Sequence, residues 1–340
     1  MDLDLNPQQQ DLVAAFRAFF LKESPPSVVR SAEPHGFDPS LWSRVAQLGG
    51  PAIGVPEGSG GGGAGLVDLV LITEQLGASL APIPLLEGMI AARVLARVGD
   101  SGREALERLT SSAPAVATVA LTPVRDGQAR MVPAGGIAEL VVGLDGSDLV
   151  LASGEPPVGR RNLGDSPVAD RSFGADRTVL ASGSAALELH ATALNEWRTL
   201  TAGAQAGLGA TALGLGVEYA KQRKQFGVPI GSFQSIARDL ADVATAVDGA
   251  TMLAREAAWA ADVCQTDAPA LAGMAFLFAG RTAQKASGVA LHVHGGYGFT
   301  LEYDVQLYYR RAKAWSLALG DPRRGLQALA DVLFGPGART

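Results

Sequence analysis

Residues 223–238 read RKQFGVPIGSFQSIAR, and the fold turns on what this stretch joins. Upstream of it, Leu194, Trp197, Leu200, Ala204, Leu208, Thr211, Leu215 and Tyr219 recur at three- or four-residue steps, the period of one helical face. The Ala and Gly residues between them allow neighbouring helices to approach closely, so a long buried bundle helix is expected. Downstream, Phe233, Ile236, Leu240, Val243 and Val247 mark a second helix, and Asp267 before Pro269 reads as the cap and first turn of a third. The stretch itself is a tight connection stiffened by Gly227, Pro229 and Gly231. Arg223 and Lys224 have two uses there: favourable interaction with a helix C-terminus, or, with Gln225 and Phe226, recognition of an anion from fixed positions.

Further along, residues 292–313 read HVHGGYGFTLEYDVQLYYRRAK. Gly295 and Gly296 would let a ligand phosphate approach backbone N–H groups; a helix end accounts for paired glycines equally well. Tyr303, Tyr308 and Tyr309 read as packing residues with polar tips. His292 and His294, without a partner in the sequence pattern, read as hydrogen-bonded structural histidines ahead of ligands.

Toward the N-terminus, Leu12, Phe16 and Phe19 keep helical spacing, as do Leu41, Val45 and Leu48 after a capping Ser40. The tract GSGGGG at 58–63 formally fits a dinucleotide fingerprint, but a helix precedes it where a strand is required. A turn before a helix beginning near Leu66 is the better account. Between 113 and 190, β-rich runs at Val116–Leu121, Leu140–Leu144 and Leu149–Ala152 alternate with Gly, Pro and Asp. The chain therefore divides into a helical segment 1–112, a small β domain 113–190 and a helical bundle 191–340: mainly α with a small β domain.

Composition sets the bounds. Lys and Arg number 28 against 34 Asp and Glu, a net charge of -6, which leaves no basic field for nucleic acid. The single cysteine, Cys264, excludes an internal disulfide, and His35, His190, His292 and His294 have no zinc-ligand spacing. No metal is expected. The polar start MDLDLNPQQQ is no signal peptide, and apolar runs such as 66–72 are too short to span a membrane. A cytoplasmic protein is expected.

RKQFGVPIGSFQ, LADVATA and HGGYGFTLEYDVQLYYRRAKAW, in this order and spacing, resemble the acyl-CoA dehydrogenase family. LWSRVAQLGGPAIGVPEGSGGGG and TEQLGASLAPIP extend the resemblance more weakly into the N-terminal segment. It implies an N-terminal helical domain, a β domain, a C-terminal four-helix bundle, and FAD held between subunits. Carried over residue by residue, it implies that Arg223, Gln225 and Phe226 reach the neighbouring subunit's FAD, with Gly295 and Gly296. The family's glutamine in that second block falls at His292, whose imidazole can also donate a hydrogen bond.

The catalytic part of the pattern fails. The family needs a carboxylate to remove the substrate's α proton, yet its commonest base position aligns with Leu319 and its alternative one with Trp197. Glu196 and Asp321 stand beside these as fallbacks, but helix neighbours point about 100 degrees apart and Asp321 before Pro322 suits a helix cap. Asn195 and Arg198 resemble the family's contact to its acyl-CoA substrate, with Asn in place of Asp. In the β domain only Leu121 and Thr122 of one flavin-side segment are recognisable.

These departures resemble the smaller, base-lacking subunits of heteromeric acyl-CoA dehydrogenases, including those that act on steroid side-chain CoA thioesters. The resemblance implies an α2β2 heterotetramer in which a partner supplies the catalytic Glu, with an electron-transferring flavoprotein as acceptor. Two other readings stay open: a homomeric dehydrogenase with a relocated base, Glu196 or Asp321, and a non-catalytic structural paralogue.

Overall fold

The computed structural model of the chain describes residues 4–111 and 113–335. Residues 1–3, 112 and 336–340, which carry the outer ends and first boundary of the expected segments, lie outside the described residues. Six helices come first: α1 (Pro7–Glu23), α2 (Pro26–Ser31), α3 (Pro39–Gln47), α4 (Leu66–Ser79), α5 (Leu85–Arg97) and α6 (Arg103–Thr110). Strands β1 (Ala117–Val119), β2 (Gln128–Val132), β3 (Leu140–Asp145), β4 (Asp148–Ser153), β5 (Ala169–Ser172) and β6 (Thr178–Ser182) follow. Then come α7 (Ser184–Gln222), the short pair β7 (Lys224–Gln225) and β8 (Val228–Pro229), α8 (Gln234–Asp262), α9 (Ala268–His294), α10 (Val305–Ser316) and α11 (Pro322–Phe334). The chain is mainly α with a small β region, as expected.

Local chemistry explains the ends of these elements, with two corrections. Asp38, and not Ser40, caps α3: its carboxylate accepts from the backbone N–H groups of Ser40 and Leu41, and Pro39 fills the first position, where no N–H is needed. Asp267 stands at the N-cap of α9 but its side chain makes no capping bond. Asn6 and Gln9 form a reciprocal capping box on α1, whose buried pair is Phe16 and Phe20. Four strands form a sheet in the order β1-β3-β4-β6, with β1 parallel to β3 and the rest antiparallel; β2 and β5 pair separately.

Two compact units cut across chain order. One joins the chain before Ser27 to Val70–Ala81 and everything from Arg198 onward; the other comprises Ser27–Leu69 and Pro82–Trp197. In the first, Gly77 of α4 meets the backbone of Ala204 so closely that a Cβ would stand 1.8 Å from its carbonyl oxygen, and Gly207 meets Glu74 in the same way at 1.9 Å. Only glycine permits this contact between α4 and α7. Arg255 of α8 clamps Glu74 with two bonds of 2.9 and 2.8 Å, and the Tyr308 hydroxyl donates to Ala78 O at 2.9 Å. In the second unit, His190 at the start of α7 bonds Ala120 O at 2.9 Å and Trp42 donates to Pro114 O at 3.1 Å. Among the described residues no helix is long and apolar enough to cross a membrane.

Candidate functional site

The connection after α7 is a two-residue hairpin. Lys224 pairs with Pro229 and Gln225 with Val228, which leaves Phe226 and Gly227 as the loop. Both have positive φ, 53° and 83°, as the mirror-image turn that matches strand twist requires. Glycine adopts this freely; a bulky aromatic is strained there. Phe226 is nevertheless at the tip, 92% exposed, with its ring edge-on to Phe233 at 6.2 Å. Arg223 and Gln225 are exposed as well, and among the described residues no carboxylate pairs with Arg223. The hairpin root is rigid: Ile230 N–H donates to Arg223 O at 2.8 Å and its side chain is buried.

That root shares a core with the end of α9. Ala220, Ile230, Leu240 and Val293 form one buried cluster, and Tyr219 stacks on His294 with ring centroids 4.2 Å apart. His294 is buried and its Nδ1 lies 2.7 Å from Ala290 O, a structural histidine as expected. His292 differs: it is exposed and, with Gly295, Leu291, Phe299 and Tyr309, lines a cleft of about 330 Å³. Gly295 has φ 62° and ψ -141°, a conformation nearly confined to glycine, and a Cβ at either Gly295 or Gly296 would meet nothing within 4 Å. The hairpin that carries Arg223, Gln225 and Phe226 is thus rooted, through Ala220 and Ile230, on the same buried cluster as Val293, the neighbour of His292 in the helix that ends at Gly295. Of the three tyrosines, Tyr308 is packed, Tyr303 lies edge-on to Tyr219 and His294, and Tyr309 is at the cleft.

The expected base positions and their fallbacks behave otherwise. Leu319 lies half-buried in the turn after α10. Asp321 caps α11, accepting from Arg323 N–H at 3.0 Å. Trp197 is buried. Glu196 is buried between two arginines of α5: Arg93 donates to it at 3.1 and 2.9 Å, and Arg97 at 3.2 and 2.5 Å. Burial alone would raise its pKa, but the Arg97 and Arg93 guanidiniums outweigh it and hold the carboxyl below its ordinary value. Such a carboxylate is a weaker base than an ordinary glutamate. Asn195 and Arg198 are both half-buried on α7, one turn apart, and burial lowers the Arg198 pKa.

Sequence reasoning missed α5 as a source of functional groups. Glu87, Arg93 and Arg97 stand in the otherwise apolar run LLEGMIAARVLAR, and that contrast was the available signal. Burial pushes the Glu87 carboxyl up to about 7, against the smaller opposing effects of its own backbone N–H and of the neighbouring Trp197.

Residues 6–108 match the family model for the acyl-CoA dehydrogenase N-terminal domain, and 187–331 that for the acyl-CoA dehydrogenase C-terminal domain. Acyl-CoA dehydrogenase IpdE2 of Mycolicibacterium smegmatis is 32% identical over 340 residues, covering 97% of this chain and 100% of that protein. The chain belongs to the acyl-CoA dehydrogenase family. It is accordingly an oxidoreductase and a flavoprotein. The IpdE2 of Mycobacterium tuberculosis is 30% identical over 332 residues, covering 96% of this chain and 98% of that one. Among solved structures, the Tcur3481-Tcur3483 steroid ACAD superposes with a TM-score of 0.86 at 26% identity, covering 98% of this chain and 99% of that one.

The outward-facing groups suit a flavin nucleotide. Arg223 offers an uncompensated cation, Phe226 an exposed ring, and Gly295 and Gly296 open backbone.

Proposed function

We propose that this chain is the partner-dependent subunit of a heteromeric, FAD-dependent acyl-CoA dehydrogenase, an α2β2 heterotetramer that acts on steroid side-chain CoA thioesters. Arg223, Gln225, Phe226, His292, Gly295 and Gly296 reach FAD across a subunit interface, while a related subunit supplies the catalytic Glu. One observation carries this reading: a strained, exposed aromatic tip is rooted on the same core as an open glycine turn, and neither family base position holds a carboxylate. Strain of this kind persists where function needs it. Two solved structures support this reading: the Tcur3481-Tcur3483 enzyme is a steroid ACAD, and the ChsE4-ChsE5 pair of Mycobacterium tuberculosis, alike in fold, is a complex.

Held by these residues, FAD would supply the acceptor for the hydride that leaves the substrate's β carbon. Arg223 offsets phosphate charge, His292 donates a hydrogen bond, and the Gly295-Gly296 turn presents backbone to the ligand. Asn195 and Arg198 hold the CoA thioester. An electron-transferring flavoprotein takes the electrons, in the cytoplasm. A homomeric enzyme with a relocated base has one feature in its favour, the Glu87 carboxyl with its pKa near neutrality beside Trp197.

The visible absorption spectrum tests these readings, taken on the chain alone and co-expressed with a base-bearing relative from the same organism. A colourless lone chain that becomes yellow and active with its partner supports the shared site. A yellow lone chain that dehydrogenates acyl-CoA, and stops doing so as Glu87→Gln, overturns it in favour of the relocated base. A colourless complex overturns both and leaves a structural paralogue.

A further inference from the structure

Every polar side chain buried in a folded protein is expected to find a hydrogen-bond partner, and on α7 two do not. Gln205 is 0% exposed, and neither its Oε1 nor its Nε2 has a partner among the described residues. Thr201, 4% exposed, has an unpartnered Oγ1. The two are four residues apart, hence on one helix face.

The surroundings show why protein atoms do not fill the need. Gly280 of α9 lies opposite the Gln205 amide: a Cβ there would sit 3.4 Å from both Nε2 and Oε1 and 3.0 Å from Ser316 Cβ. Bare backbone thus faces the amide. Ser316, the other side chain that meets this position, has its hydroxyl engaged elsewhere: Oγ accepts from Gln284 Nε2 at 2.6 Å and donates to Lys313 O at 3.1 Å. A carboxamide can accept twice and donate twice, and a hydroxyl does both. The complement of that pair is small, neutral, and able to give and take hydrogen bonds.

We propose that Thr201 and Gln205 form an internal polar site in the bundle for a neutral hydroxyl-type oxygen, supplied by a water molecule or by a hydroxyl group on the acyl part of the substrate. The second source rests on the function proposed above. Helix rise places Thr201 about 4.5 Å and Gln205 about 10 Å along α7 from Arg198, within the reach of an acyl group whose CoA part is held there. A site built to bond a hydroxyl rejects the analogue that lacks it strongly, because its own groups are then left unpaired.

Two measurements on the assembled protein separate the sources. Oxygen-17 relaxation dispersion of water counts long-lived internal waters; the loss of one in Gln205→Leu identifies water as the occupant. Titration calorimetry with a hydroxylated polycyclic acyl-CoA and its deoxy counterpart reads the other source. There the expected result is a preference for the hydroxylated thioester of about tenfold or more, falling to near unity in Gln205→Leu and in Thr201→Val. Should either variant not fold, the other carries both measurements. The inference is overturned if no water is lost, no hydroxyl preference exists, and Gln205→Leu melts higher than the parent, the response of an amide buried with nothing to bond. The water count does not depend on flavin, so it stands or falls separately from the proposed function.

Discussion

Replacing Glu196 by Ala leaves Arg93 and Arg97 facing each other without the carboxylate that separates them. The Glu196 side chain is 6% exposed, that of Arg93 14% and that of Arg97 32%. Removing one member of a buried ion pair costs about 3–5 kcal/mol, because the other charge stays buried. Arg97 reaches solvent and regains part of its hydration, so its share is smaller, and the lower end, about 3 kcal/mol, is expected. At about 1.4 °C per kcal/mol for a chain of 340 residues, from an unfolding entropy of about 2.1 cal/mol/K per residue, the melting temperature falls by roughly 4 °C. Glu196→Gln falls less, since its amide oxygen still accepts one bond. The pair also carries a pH signature. A carboxyl held below its ordinary pKa contributes stability above its unfolded value, and that contribution is lost as pH falls through the folded value. Scanning calorimetry and turnover of the assembled enzyme, measured on the same samples, give the decision. A structural Glu196 lowers the melting temperature and leaves turnover per folded enzyme unchanged. If Glu196→Gln melted within a degree of the parent while turnover vanished, Glu196 would be the base and the reasoning above would be refuted.

Other outcomes follow from single features. Glu87, with its pKa raised to about 7 by burial from an ordinary 4.5, has the opposite sign to Glu196: its contribution is present below pH 4.5 and lost as pH rises through 7. The lost stability amounts to about 3 kcal/mol, and Glu87→Gln removes that slope from the pH dependence of unfolding. Arg223→Ala, on an exposed residue, is expected to leave the fold intact and strip flavin from the complex, read as a fall in absorbance near 450 nm relative to 280 nm, whereas unchanged flavin content excludes its proposed role. Gly295→Ala forces a side chain into a backbone region nearly closed to it and lowers stability by about 1–3 kcal/mol, measured by urea denaturation; a neutral result would mean that the turn relaxes. His292→Gln, which restores the family's residue, retains flavin, while His292→Ala lowers its affinity in a dilution assay.

How much of this was legible in the sequence depended on range. The α7 and α8 faces are legible directly, because helical periodicity is a local signal that the Ala-rich interior repeats over many turns, whereas of α9 only the start at Asp267 and Pro269 is legible. The glycines and proline of 227–231 announced a tight connection, but the positive φ of Phe226 was not announced, since nothing in an F-G pair says which hairpin register the flanking residues take. Strands β2, β5 and β6 went unread because they are short and carry Gln, Arg, Asp and Ser at the positions where alternation would show. The site divides in the same way. The blocks at 223 and 292 were recognisable as motifs, whereas their common core at Ala220, Ile230 and Val293 is a tertiary fact. Glu196 looked like a fallback base for want of the contact that decides it, which comes from residues about a hundred positions earlier on α5. Such ion pairs leave no periodic trace.

The two-residue hairpin after α7 also acts as a gauge of length. Side chains on a strand alternate between faces, so one residue inserted on either side of Phe226-Gly227 turns its neighbours over to the opposite surface. A loop of only two residues has no slack to absorb the change. Substitutions at the tip alter chemistry and leave the reach of the arm intact, while an insertion or deletion alters the reach itself. Descendants of this chain are therefore free to drift at Lys224 or Val228 long before they can change the spacing between Arg223 and Ile230, and a single-codon insertion there would disconnect the arm more completely than the loss of any one of its side chains.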